Sequence, residues 1–149
     1  MQAGQLTKVA PADVPPRHRQ GGEIRILLSP ATVGATAGFT GTLALNPGEY
    51  VAEQYHPYSD KFVYLVSGQL TIRAEGSVLE LDPDEAVMIR RGQRHRFENN
   101  ADQRVYVVFQ IAPLAPAPEL GHVDTEPVPH PDAPHPAIGP RIEPTVGAS

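Results

Sequence analysis

No cysteine occurs among the 149 residues, which excludes disulfides and thiolate metal sites and leaves histidine, carboxylates and amides as candidate metal donors. Long hydrophobic runs are missing as well. The opening MQAGQLTKVAPADVPPRHRQGG has no apolar stretch after its charges, and nothing later is long enough to cross a bilayer. A cytoplasmic protein with no membrane partner is therefore expected. Positive charge is in deficit, with 12 Lys and Arg against 17 Asp and Glu for a net charge of -5. That balance argues against a nucleic-acid-binding surface and favours a small molecule or a protein as partner. No long segment keeps a helical hydrophobic period.

Proline is abundant and unevenly placed: ten of the 17 lie between Pro113 and Pro144, a density that no helix or interior strand sustains. Residues 1–20, with Pro11, Pro15 and Pro16, read as an extended leader. Residues 113–149 read as a proline-rich tail, packed to about 126 and disordered beyond. Between them, residues 21–112 form one domain in which apolar residues recur with a period of two. Nine strands are expected, at 23–29, 38–46, 49–56, 61–68, 69–75, 77–82, 86–91, 95–99 and 103–111, joined by Asn-Pro-Gly, Ser-Gly, Glu-Gly, Asp-Pro-Asp and Arg-Gly turns. Nine short strands without a long helix imply an all-β sandwich or barrel. Gly34, Gly38 and Gly41 would allow close backbone approach or a bend.

Strand alternation puts Tyr50, Ala52, Gln54 and His56 on one face and Val51, Glu53 and Tyr55 on the other. Gln54 and His56 are then neighbours on one surface. His95 starts a strand after the Gly92 turn, Gln110 lies near the end of the last strand, and closure of the strands into a barrel would let the four converge.

Two spaced patterns carry a family likeness. Gly48, Gln54, His56, Lys61 and Gly68 resemble the first cupin motif, with Gln where the first His is usual and Lys where Glu is usual. Asp84, Arg90, Gly92, His95 and Asn99 resemble the second, with Asp and Arg for Gly and Pro. The stretches RQGGEIRILLSPATVGATAGF, YHPYSDKFVYLVSG and FQIAPLAPAPELGHVDTE narrow the likeness to the single-domain cupin cyclases of bacterial aromatic polyketide pathways. The resemblance implies a jelly-roll barrel, a double-stranded β-helix, with the site in its lumen. It implies an enzyme that directs aldol-type closure of a poly-β-ketone, a metal site in an apolar cavity, and a homodimer. Carried over position by position, the metal ligands would be Gln54, His56, His95 and Gln110, with zinc the implied ion.

Amide oxygens are neutral, hard donors that zinc accepts less readily than imidazole, and an inward Lys61 would add positive charge beside a cation. Metal-bound and metal-free lumens both remain open. Without metal, the Gln54 and Gln110 amides or Lys61 would donate to a developing oxyanion, and His56 or His95 would act as base. Arg90, Arg91, Arg94 and Arg96 read first as a solvated rim, with a lip for an acyl carrier protein as the functional alternative. Tyr50, Tyr55, Tyr58, Phe62, Tyr64, Phe97, Tyr106 and Phe109 are expected in the core or lumen wall. His18, His122, His130 and His135 receive no role. The alternatives to a cyclase are a cupin that binds a small molecule or assists a synthase without catalysis, and a metal-dependent oxygenase.

Overall fold

A computed structural model describes residues 6–143. Ten strands are present: β1 Glu23–Leu28, β2 Phe39–Leu45, β3 Tyr50–Tyr55, β4 Asp60–Ser67, β5 Leu70–Ala74, β6 Ser77–Leu81, β7 Ala86–Ile89, β8 His95–Glu98, β9 Val105–Ala112 and β10 Val123–Asp124. Nine lie where the alternation of apolar residues places them. They form two five-stranded antiparallel sheets, ordered β1-β2-β9-β4-β7 and β10-β3-β8-β5-β6. The sheets enclose a jelly-roll core.

The inward side chains of β9 show how the pattern is read. Val105, Val107, Phe109 and Ile111 are buried, and the residues between them turn away. They pack with Leu43, Leu45, Val63, Leu65 and Phe97 in one continuous core, where shortening a single Leu to Ala costs about 2 to 5 kcal/mol. The motif residue Asn99 is fully buried and fastens strand ends: its Nδ2 donates to the Leu45 and Gln103 carbonyls at 2.9 and 2.8 Å. Its role is structural.

One expectation changes. The alternation along β3 is broken, because Val51 pairs with Phe97 while Gln54 pairs with His95, leaving two residues, Ala52 and Glu53, on one strand against Arg96 alone on the other. This bulge turns both Val51 and Gln54 inward. Tyr50 is left outside, its ring 3.9 Å from the Arg96 guanidinium carbon, so it does not share the face of Gln54 and His56. The bulge has a partner in the chain entering β1. Ala52 N–H donates to Gln20 C=O at 2.9 Å, and Gly21, at φ +112°, passes so close that a Cβ there would sit 1.8 Å from the Tyr50 carbonyl oxygen.

The described part of the tail beyond residue 126 lies along the barrel: Ala31 N–H donates to Ile138 C=O and His130 N–H to Arg19 C=O at 3.1 and 3.2 Å, and the Arg19 guanidinium donates to the Pro131 carbonyl. Residues 144–149 and 1–5 of the expected tail and leader lie outside the described residues. Isolated proline-rich chain lacks a hydrogen-bonded form of its own, but these carbonyls find donors on the barrel. Among the described residues no helix is long and apolar enough to cross a membrane.

Gly21→Ala should therefore cost about 3 kcal/mol from positive-φ strain and the clash together. Urea unfolding should show it, with a larger loss than Gly76→Ala, where a Cβ would meet nothing within 4 Å.

Candidate active site

Between the sheets lies a cavity of about 500 Å³, within the range of small-molecule sites. Its walls are largely apolar, from Ile24, Ile26, Phe39, Leu43, Phe109 and Ile111, and its polar lining includes Gln20, Gln54, His56, Lys61, His122 and Asp124. Gly92 N–H donates to the His56 carbonyl at 2.8 Å and Arg91 N–H to Asp60 Oδ1 at 2.9 Å. These bonds tie the turn before β8 to the β3–β4 connection. His56 and His95 are thereby stacked, with ring centroids 5.5 Å apart and 21° between planes.

His95 is buried behind His56 rather than at the cavity surface. Its Nδ1–H donates to the Gln93 carbonyl at 2.9 Å, so Nε2 carries the lone pair, and that nitrogen is buried without a partner. Burial, with repulsion from Lys61, drives the ring from 6.5 to about 3 against the opposing effect of the Gln93 hydrogen bond. His56 is held well below 6.5 by burial first, then by Lys61, His95 and His122. Both rings are neutral at pH 7. The expectation of a histidine base poised near neutrality is corrected accordingly, since desolvation makes both weak bases.

Lys61 points inward and is 6% exposed. Its Nζ lies 4.6 Å from the centroid of Phe97 and 5.5 Å from that of Phe109. Among the described residues it has no carboxylate or hydrogen-bond partner; its neighbour Asp60 faces the other way and accepts from Arg91. Burial without a counter-ion brings its pKa from 10.5 down to about 7. The group poised near neutrality is thus the lysine.

Gln54 Oε1 accepts from Gln20 Nε2 at 3.0 Å, and the same Gln20 nitrogen lies 2.6 Å from His122 Nε2. Asp124 Oδ1 is 3.2 Å from that His122 nitrogen. Gln20 and His122, and His135 at the cavity wall, were not indicated by the sequence. Gln20 sits in a leader without hydrophobic periodicity, and both histidines sit among prolines. The one available signal is the alternation His122-Val123-Asp124, which β10 uses by pairing Val123 with Tyr55 and Asp124 with Gln54.

Gln110 does not join the site. Phe109 and Ile111 face the lumen, so alternation turns Gln110 to the opposite, exposed face, where it pairs with Phe62 and Thr40. Several aromatics are also outside: Tyr58, Phe62 and Tyr64 are exposed, and Phe97 and Phe109 alone of the eight are buried. Arg96 is bound on the outer face to Glu98 and Glu126 at 2.8 and 2.6 Å, whereas Arg90, Arg91 and Arg94 remain exposed.

The unpartnered His95 Nε2 and the His56 ring stacked on it suit metal ligands. The rest of the donor set does not. Gln54 Oε1 already accepts a hydrogen bond, Gln110 is outside, His122 is engaged by Gln20 and Asp124, and an ammonium shares the lumen. Among the described residues no three His, Asp or Glu are grouped to hold an ion. The residues present do not fit a tightly held divalent metal.

A cupin-domain family model matches residues 41–111. The tetracenomycin polyketide synthase protein TcmJ of Streptomyces glaucescens is 57% identical over 132 residues, spanning 89% of this chain and 89% of its own. Polyketide synthase CurC of Streptomyces cyaneus is 48% identical over 114 residues, 76% of this chain and 74% of that one. Among solved structures, the polyketide cyclase RemF of Streptomyces resistomycificus matches in fold with a TM-score of 0.67 at 18% identity, over 85% of this chain and 90% of that one.

Two pH effects on stability follow from the shifted groups. Between about 3 and 6.5 the unfolded chain holds a proton on His95 that the folded chain rejects, so stability should fall as pH drops through that window. For Lys61 the corresponding window runs from about 7 to 10.5, so the destabilisation is complete below pH 7 and fades as pH rises through it. Lys61→Met should raise the urea midpoint at pH 6, with a gain that shrinks steadily toward pH 10. A gain independent of pH would contradict the assignment.

Proposed function

The chain belongs to the cupin family, in the group that includes TcmJ, and from that premise we propose that it directs aldol-type ring closure of a poly-β-ketone during aromatic polyketide assembly. The observation that carries this reading is the make-up of the cavity, whose walls are largely apolar and whose polar lining includes Gln54, His56 and Lys61. The names of the relatives, polyketide synthase proteins and a polyketide cyclase, supply the substrate class.

An aldol closure needs a flexible chain held in one fold, a carbon between two ketones deprotonated, and the oxygen of the attacked ketone stabilised as charge develops on it. Apolar walls meet the first need by excluding competing conformers and water. Lys61 and the Gln54 amide meet the third by donating to the developing oxyanion in a medium of low dielectric, where such donors act most strongly. For the second need, the Lys61 amine is the group able to take a proton near neutrality; the neutral His56 ring borders the cavity beside it, stacked on His95. No step is routed through a metal. The exposed Arg90, Arg91 and Arg94 offer a cationic turn to the acidic surface of an acyl carrier protein. The exposed outer-face residues Phe62, Tyr64, Met88 and Val108 suit pairing of two copies of the chain.

Reconstitution with a minimal polyketide synthase tests the reading. Adding the protein should shift the products toward one regiochemistry, and Lys61→Met should lower formation of that product roughly 100-fold, the scale for losing one oxyanion donor. An unchanged product distribution would sink the cyclase reading. For the metal, protein purified without chelator should contain well under one equivalent per chain. A full equivalent that disappears in both His56→Ala and His95→Ala would reverse the conclusion on the donor set.

A further inference from the structure

Lys61 is more than a buried charge. It is a primary amine at the wall of an apolar cavity, and among the described residues no acid holds its proton and no hydrogen bond fixes its lone pair. The Phe97 and Phe109 ring faces beside it at 4.6 and 5.5 Å tolerate an ammonium and leave a neutral amine unobstructed. The neighbouring imidazoles of His56 and His95 are neutral and add no counter-ion. A desolvated lysine of this kind is the usual form of a nucleophile toward carbonyl carbon. The ligand class proposed for the cavity consists of repeated 1,3-diketones.

We infer that Lys61 attacks a ketone of a 1,3-diketone substrate and forms an imine with it, so that ring closure proceeds through a covalent enzyme-bound enamine. The inference rests on the proposed cyclase reading for its substrate. Attack of the amine nitrogen gives a carbinolamine; loss of its oxygen as water, with both nitrogen protons, gives the imine. Protonation of the imine nitrogen makes the adjacent carbon acidic. Removal of a proton from that carbon gives the enamine, whose carbon bonds to a second ketone as that oxygen takes up a proton. Water then adds to the iminium carbon, the carbon–nitrogen bond breaks, and the amine and a ketone are regenerated. Oxidation state is unchanged overall, so no further reactant is required. His56, beside the cavity, is placed to relay these protons.

The probe is acetylacetone, a 1,3-diketone that gives a conjugated vinylogous amide with a reactive amine and absorbs in the near ultraviolet. Wild-type protein at pH 7.5 should develop that band with one equivalent of probe per chain. Cyanoborohydride reduction of samples treated with a simple ketone should place one secondary-amine adduct on the peptide containing Lys61. Because the chain has no cysteine, Lys61→Cys carries a single thiol, and alkylating it with bromoethylamine restores a primary amine at that position; adduct formation and cyclisation should both return. Absence of an adduct on wild-type Lys61, or full cyclisation by Lys61→Arg, which keeps the charge but forms no imine, overturns the covalent step and leaves the cyclase reading standing. An adduct on Lys61 in a protein that does not alter polyketide products would instead overturn the cyclase reading alone.

Discussion

The arrangement of the lumen depends on one electrostatic constraint: an ammonium is buried at Lys61 with no carboxylate among the described residues to balance it. Everything near it is adjusted to that fact. The two nearest rings present their faces, the two nearest imidazoles are held neutral, and the adjacent carboxylate of Asp60 is turned outward to the Arg91 backbone. A positive charge placed in a medium of low dielectric disfavours a second cation beside it and favours an anionic group there.

Such a constraint has a stability cost, and the barrel offsets it with a continuous core of Ile, Leu, Val and Phe side chains and with hydrogen-bonded fastening at the strand ends. The bulge in β3 belongs to the same design. By advancing one residue, it turns Gln54 inward opposite His95 without disturbing Val51 against Phe97, and it offers the Ala52 amide to the incoming chain at Gln20. That chain brings its own amide to Gln54. The tail then contributes His122, just before the two-residue strand that pairs along β3. A polar cluster is thus assembled from the leader, the barrel and the tail, three segments that composition alone separates.

Much of the fold was legible because its cause is local. Period-two alternation in β1, β2, β4 and β9, and turn chemistry between strands, are set by neighbours within a few residues. Motif spacing likewise located Gln54, His56, Lys61 and His95. Gln110 failed for a reason that was also in the sequence: it lies between Phe109 and Ile111, and an inward pair two residues apart leaves the residue between them outside. The alternation along β3 failed differently, since nothing local announces a bulge whose partner is the Gln20–Gly21 segment.

By itself the sequence determined the all-β architecture, the strand positions, the absence of thiol chemistry and the chemical types available to the lumen, because each follows from composition or short-range pattern. Tertiary structure alone decided which of those side chains meet. It brought Gln20 and His122 across 102 residues to Gln54, excluded Gln110, and set the protonation of His56, His95 and Lys61. Protonation and convergence depend on burial and on neighbours distant in the chain, and only a closed barrel fixes both.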